Sequence, residues 1–142
     1  MKIVAAIVAA CLLAAPAAFA AKPAEPVKVI YHLNLGLEQA SDGLRNIRNH
    51  LSVDPTARIV VVTHSKGVDF LLAGAKDDKG NPYEAAVDDL SLKGVEFRVC
   101  NITLTSRKID PKLVHPAATI VPSGVAEVSR LQAQENFVYL KP

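Results

Sequence analysis

Hydrophobic positions along the chain switch repeatedly between a strand-like and a helix-like period. Val27 to Leu33 is a β-type run that ends near Asn34. Leu37, Ala40, Leu44, Ile47 and Leu51 then recur at helical spacing, which predicts an amphipathic helix over Glu38 to Leu51. Asp54-Pro55 closes that connection, and Arg58 to Thr63 follows as a nearly continuous β-branched run, the pattern of a strand covered on both faces. Gly67 to Ala75 reads as a short helix, Lys76 to Pro82 as a polar turn, and Tyr83 to Leu92 as a helix stopped at Gly94. Val95 to Val99 is a third strand, with a short helix expected over Asn101 to Arg107. Ala118 to Val121 is a fourth strand, Ser123 caps a helix to about Gln134, and Phe137 to Leu140 is a fifth strand. Parallel neighbours need crossover connections of helix length, so this alternation predicts a three-layer α/β/α domain around a five-stranded, mainly parallel sheet.

Upstream of this domain the pattern changes. Met1 and Lys2 give a short positive start, Ile3 to Ala15 is apolar up to Pro16, and Ala18-Phe19-Ala20 has the small-x-small form that signal peptidases accept. Residues 1–20 are therefore expected to be a cleaved secretory signal. Residues 21–26, with two prolines, form a linker, and residues 27–142 form a single domain. The apolar run is too short for a membrane span, so a periplasmic or secreted protein with no membrane association after cleavage is expected. Val8-Ala9-Ala10-Cys11 also has the look of a lipoprotein acceptor site, but only ten residues precede Cys11 and the apolar run continues past it.

Composition narrows the function classes. The 142 residues carry 16 Lys+Arg against 14 Asp+Glu, a net charge of +2, too small a basic excess for a dedicated nucleic-acid binder. Two cysteines are too few for a disulfide scaffold, and removal of the signal leaves Cys100 alone, with no internal partner. No glycine-rich phosphate loop, GxSxG elbow or fixed-spacing metal motif is present, and no cofactor is expected.

In a parallel sheet the working groups collect at the carboxyl ends of the strands. Those ends carry His32 and Asn34, His64 and Ser65, Cys100 and Asn101, and Pro122, Ser123 and Gly124. Cys100 lies between a strand end and a helix start, where the helix N-terminus favours the nucleophilic thiolate. A buried, inert cysteine packed like a valine is the equal alternative. His64 opens a Ser65-Lys66-Gly67 turn whose backbone amides are suited to holding an anion, though plain turn chemistry accounts for it too. A lone strand histidine such as His32 is more often a satisfied core residue than a catalyst. His50, His115, Arg98 and Arg107-Lys108 are expected to be solvated, with Arg107 a further candidate to assist an anionic sulfur species, and Asp42, Asp88 and Asp89 to be helix-surface charges. These carboxyl ends define candidate catalytic residues Cys100, His64 and His32, and candidate ligand-binding residues Asn34, Ser65, Gly67, Asn101, Ser123 and Gly124.

Gly94-Val-Glu-Phe-Arg-Val-Cys100-Asn-Ile-Thr-Leu104, followed by Ile109-Asp110-Pro111, resembles the DsrE/DsrF-like sulfur-relay family with its TusD-type subunits. Tyr31-His32-Leu33-Asn34, Asn46 to Asn49, Val62 to Phe70, Val121 to Glu127, Leu131-Gln132 and Tyr139 to Pro142 are similar as well, so the resemblance spans Val27 to Pro142. It implies a five-stranded α/β fold and homo-oligomers, trimers and hexamers in several relatives. It also implies that Cys100 accepts sulfane sulfur as a persulfide and passes it on, with donor and acceptor proteins as partners. Relay members work in the reducing cytoplasm, whereas an exported thiol faces oxidation. Three readings follow: a persulfide carrier of sulfurtransferase-like chemistry, a non-catalytic module binding a small ligand or a protein with a structural Cys100, and, ranked last, a metal site of His32, His64 and Cys100.

Overall fold

The structure, a computed structural model, describes residues 25–142. The expected signal segment with Cys11, and most of the expected linker, lie outside the described residues. Among the described residues, no helix is long and apolar enough to cross a membrane.

Five strands, β1 (Lys28–Leu33), β2 (Arg58–Thr63), β3 (Glu96–Cys100), β4 (Ala118–Val121) and β5 (Val138–Leu140), form one sheet in the order β4-β3-β2-β1-β5. All four pairings are parallel. From β1 to β4 each crossover steps the same way across the sheet. The last connection returns across its full width to place β5 beside β1. Right-handed crossovers therefore put the earlier helices on one face and the last helix on the other.

The first face carries α1 (Leu37–Val53), a 3₁₀ helix (Ser65–Leu71), α2 (Tyr83–Leu92) and Leu104 of α3 (Asn101–Ser106). Alternate strand residues meet them: Val29, Tyr31 and Leu33 from β1, Ile59 and Val61 from β2, Phe97 and Val99 from β3. Among the described residues, the second face has only α4 (Gly124–Glu135), whose Val128 and Leu131 pack with Phe137 against Ile30, Val60 and Val62. Burial of each such side chain contributes roughly 1.5–3 kcal/mol.

The expected helix over Gly67 to Ala75 is instead the 3₁₀ helix, which ends at Leu71. Leu72 then pairs with Val114 as an isolated bridge, and Ala73 N–H donates to the Leu113 carbonyl. Close packing explains the tight coil: a Cβ on Gly67 would stand 2.0 Å from the Leu33 carbonyl oxygen. A short 3₁₀ turn at Pro111–Leu113 adds a further element before β4.

Two histidines and one arginine depart from the solvated placement expected of them. His115 is buried at 9% exposure; its Nδ1 accepts from Ala117 N–H, and its Nε2 lies 3.5 Å from Asp88. His50 is half-buried and hydrogen-bonds Tyr31 Oη through Nδ1. Arg98 is held between Glu96 and Glu127 on the α4 face.

Candidate functional site

Cys100 is the last residue of β3 and the residue before α3, so the strand fixes its Cα and the helix start faces its side chain. β4 pairs with β3 up to Val121 alongside Cys100, and Ser123 begins α4 immediately beyond. The Ser123 hydroxyl accepts from Ala126 N–H at 3.3 Å, which sets the first turn. Gly124 thereby sits over β2 and β3. A Cβ on Gly124 would lie 2.9 Å from the Thr63 carbonyl oxygen and 3.2 Å from the Cβ atoms of both Cys100 and His64. Only a residue without a side chain fits between the thiol and the imidazole.

Cys100 is the one free cysteine among the described residues, and it is 4% exposed rather than standing open at a crevice mouth. Burial by itself pushes its thiol pKa up. Hydrogen bonds from Gly124 N–H, from Thr103 through both its hydroxyl and its N–H, and from Ile102 N–H outweigh that effect and bring the thiol below its ordinary value. The sequence reading missed Thr103. Its Oγ1 accepts from Ser65 N–H at 2.9 Å, leaving the hydroxyl proton for sulfur. The available signal was spacing, since a residue three beyond Cys100 on a helix turns back towards it.

His32 and His64, at the ends of β1 and β2, stand with ring centroids 4.8 Å apart. His32 Nδ1 bonds Tyr139 Oη at 2.7 Å, and its Nε2 is buried without a protein partner. His64 Nδ1 bonds Ser65 Oγ at 2.9 Å. Burial, then the nearby His64 and Lys141, lowers the His32 pKa to about 4; burial and Lys141 lower that of His64. Both imidazoles are thus neutral at pH 7, and each is a weaker proton acceptor than a solvated histidine. Tyr139 and Lys141, from the C-terminal strand and tail, belong to this cluster and were not among the expected site residues.

The remaining candidates divide. Ser65 has a left-handed φ of 53°, and its N–H is committed to Thr103. Gly67 N–H donates to the His64 carbonyl. These two amides are thus occupied, which corrects the expectation that the turn offers them to an anion, and Gly67 acts in packing. Arg107 donates to the Ser65 carbonyl and pairs with Asp69, bracing the same turn. Asn34 N–H donates to Gln39 Oε1 while its own Oδ1 is buried and unpartnered. Asn101 is exposed on α3. Ser123 and Gly124 border Cys100. No group of three or more His, Cys, Asp or Glu side chains among the described residues is arranged to hold a metal ion.

Comparison with known proteins adds to this geometry. The profile of the DsrE/DsrF-like family matches residues 11–140. A protein of unknown function from Methanobacterium thermoautotrophicum superposes with a TM-score of 0.71 at 28% identity, covering 82% of this chain and 99% of its own. The ychN protein from E. coli superposes with a TM-score of 0.65 at 14% identity, covering 84% of this chain and 100% of its own, a likeness of fold. No curated protein matches the chain.

Proposed function

Because the chain belongs to the DsrE/DsrF-like family, we propose that it carries sulfane sulfur as a persulfide on Cys100. The observation that supports this reading is the set of donors around the sulfur: three backbone N–H groups and a hydroxyl favour the thiolate at a buried position. The Cys100 thiolate attacks the outer sulfur of a donor R–S–SH. A new S–S bond forms to give Cys100–S–SH, the donor S–S bond breaks, and its electron pair leaves with R–S⁻. Attack by an acceptor thiolate on the same outer sulfur reverses the exchange and restores the Cys100 thiolate. His64, across Gly124 from the cysteine, takes the proton when Cys100 begins as a thiol. A sulfur donor and an acceptor are the partners this chemistry requires.

The cellular setting and the assembly belong to the same proposal. The signal-like residues 1–20 favour export. Val138 and Leu140, exposed on the edge strand β5, favour association of identical copies there.

Mature protein incubated with inorganic polysulfide is expected to gain the mass of one or more sulfur atoms by intact mass spectrometry. Reduction should remove the gain, and Cys100→Ser should show none. An equal gain in Cys100→Ser, or none in the wild type, refutes the proposal. The 4% exposure of Cys100 favours the second reading, a binding module with a packed cysteine. A thiol that resists alkylation in the folded protein is its signature.

A further inference from the structure

The α4 face of the sheet carries a closed ring of alternating charges. Arg58 pairs with Glu96, Glu96 with Arg98, Arg98 with Glu127, Glu127 with Arg130, Arg130 with Glu135, and Glu135 returns to Arg58. The ring joins β2 and β3 to α4. Arg58, Glu96, Arg130 and Glu135 have side chains 30–44% exposed, and pairs so placed do little. Arg98 and Glu127 differ, with side chains only 14% and 11% exposed.

The position of this inner pair is what matters. Arg98 lies two residues before Cys100 in β3, so both side chains point to the α4 face. Glu127 lies three residues after Gly124, one turn along the same side of α4. Strand and helix are therefore tied by two adjacent rungs. One is the contact of Gly124 with Cys100; the next is Arg98 with Glu127. Arg130 grips the Glu127 carboxylate through both Nε and Nη2, at 3.0 and 2.9 Å, and Arg98 reaches Glu96 at 2.7 Å with its other arm. Both partners are thus fixed from a second side. Among the described residues, no other helix stands on this face to wedge α4 in place, and its apolar contact is the small cluster of Ile30, Val60, Val62, Val128, Leu131 and Phe137.

We propose that Arg98 and Glu127 are positioning residues that hold the first turn of α4 over Cys100 and keep the Gly124 N–H directed at the sulfur. The proposal rests on the thiolate chemistry argued above, and extends it to residues that never touch the sulfur. It differs sharply from a purely Coulombic role. Removing the Glu127 charge leaves Arg98 with Glu96 as its one paired carboxylate, a loss of negative charge near the thiol that by charge alone favours the thiolate. Loss of positioning withdraws an N–H donor and disfavours it. Glu127→Asp keeps the charge but shortens the reach by one methylene, so a Coulombic role leaves it unmoved.

The test is the pH profile of Cys100 alkylation by iodoacetamide in folded wild type, Glu127→Gln, Glu127→Asp and, as a distant control, Arg45→Gln. The expected result is a midpoint raised by on the order of one pH unit in Glu127→Gln and raised by less in Glu127→Asp. Arg45→Gln, which loses a surface pair with Asp42 on α1, should match the wild type. A midpoint that falls or stays put in Glu127→Gln, or that stays put in Glu127→Asp, overturns the proposal. Should Glu127→Gln fail to fold, Glu127→Asp decides alone. Alkylation is read apart from sulfur uptake, so a protein that alkylates with the expected shifts but takes up no sulfur fails the carrier reading alone, whereas a thiol that iodoacetamide never reaches in the folded wild type overturns both.

Discussion

His32 shows how far a single residue departs from its free chemistry. Its pKa falls from 6.5 to about 4, because burial, then the neighbouring His64 and Lys141, oppose a charged ring. Between those values the unfolded chain binds a proton that the folded chain refuses. The stability gained by keeping His32 neutral is therefore complete above pH 6.5 and is lost as the pH falls towards 4. Discounted for its half-solvated setting, the loss is about 1–2 kcal/mol. Urea midpoints measured from pH 7 down to 4.5 should fall in the wild type and fall less steeply in His32→Gln. Parallel profiles would exclude His32 as a source of acid sensitivity. The placement of His32, His64 and Cys100 at strand ends was legible from the sequence, because strand ends follow from hydrophobic runs. The partners were not. Tyr139 reaches His32 across 107 residues of chain, and Arg98 meets Glu127 only because α4 crosses the opposite face of the sheet. Both depend on strand order, which no local pattern encodes.

At the scale of elements, local rules held where local forces decide. The β-branched run Arg58 to Thr63 became β2, and Ser123 became the cap of α4. Replacing Ser123 with Ala leaves the Ala126 N–H without its acceptor and should cost about 1 kcal/mol in urea denaturation. A change within error would show that solvent satisfies that amide equally well. The segment after His64 was harder to read. Its composition suits a helix, but the close approach of Gly67 to the Leu33 carbonyl and the bridge from Leu72 to Val114 draw it into a tighter coil that ends in one isolated bridge and a turn. Those are tertiary contacts, and they override intrinsic preference.

For the molecule as a whole, both edge strands of the sheet expose apolar side chains among the described residues, β5 more of them than β4. β5 pairs with β1 alone, and Val138, Tyr139 and Leu140 are 54%, 37% and 40% exposed. If copies associate there, Leu140→Lys should shift sedimentation from an oligomer to a monomer without changing the circular dichroism spectrum. A wild-type protein that sediments as a monomer rules that association out. The same architecture governs timing. Gly124 and Tyr139 both come from the final fifth of the sequence, and both reach back to residues made much earlier. Until that final stretch has been synthesised and docked, Cys100 lacks the Gly124 donor and His32 lacks its phenol. The nascent polypeptide thus carries a sulfhydryl without part of its hydrogen-bond shell, and the sulfur takes on its native acidity only with completion of the native state.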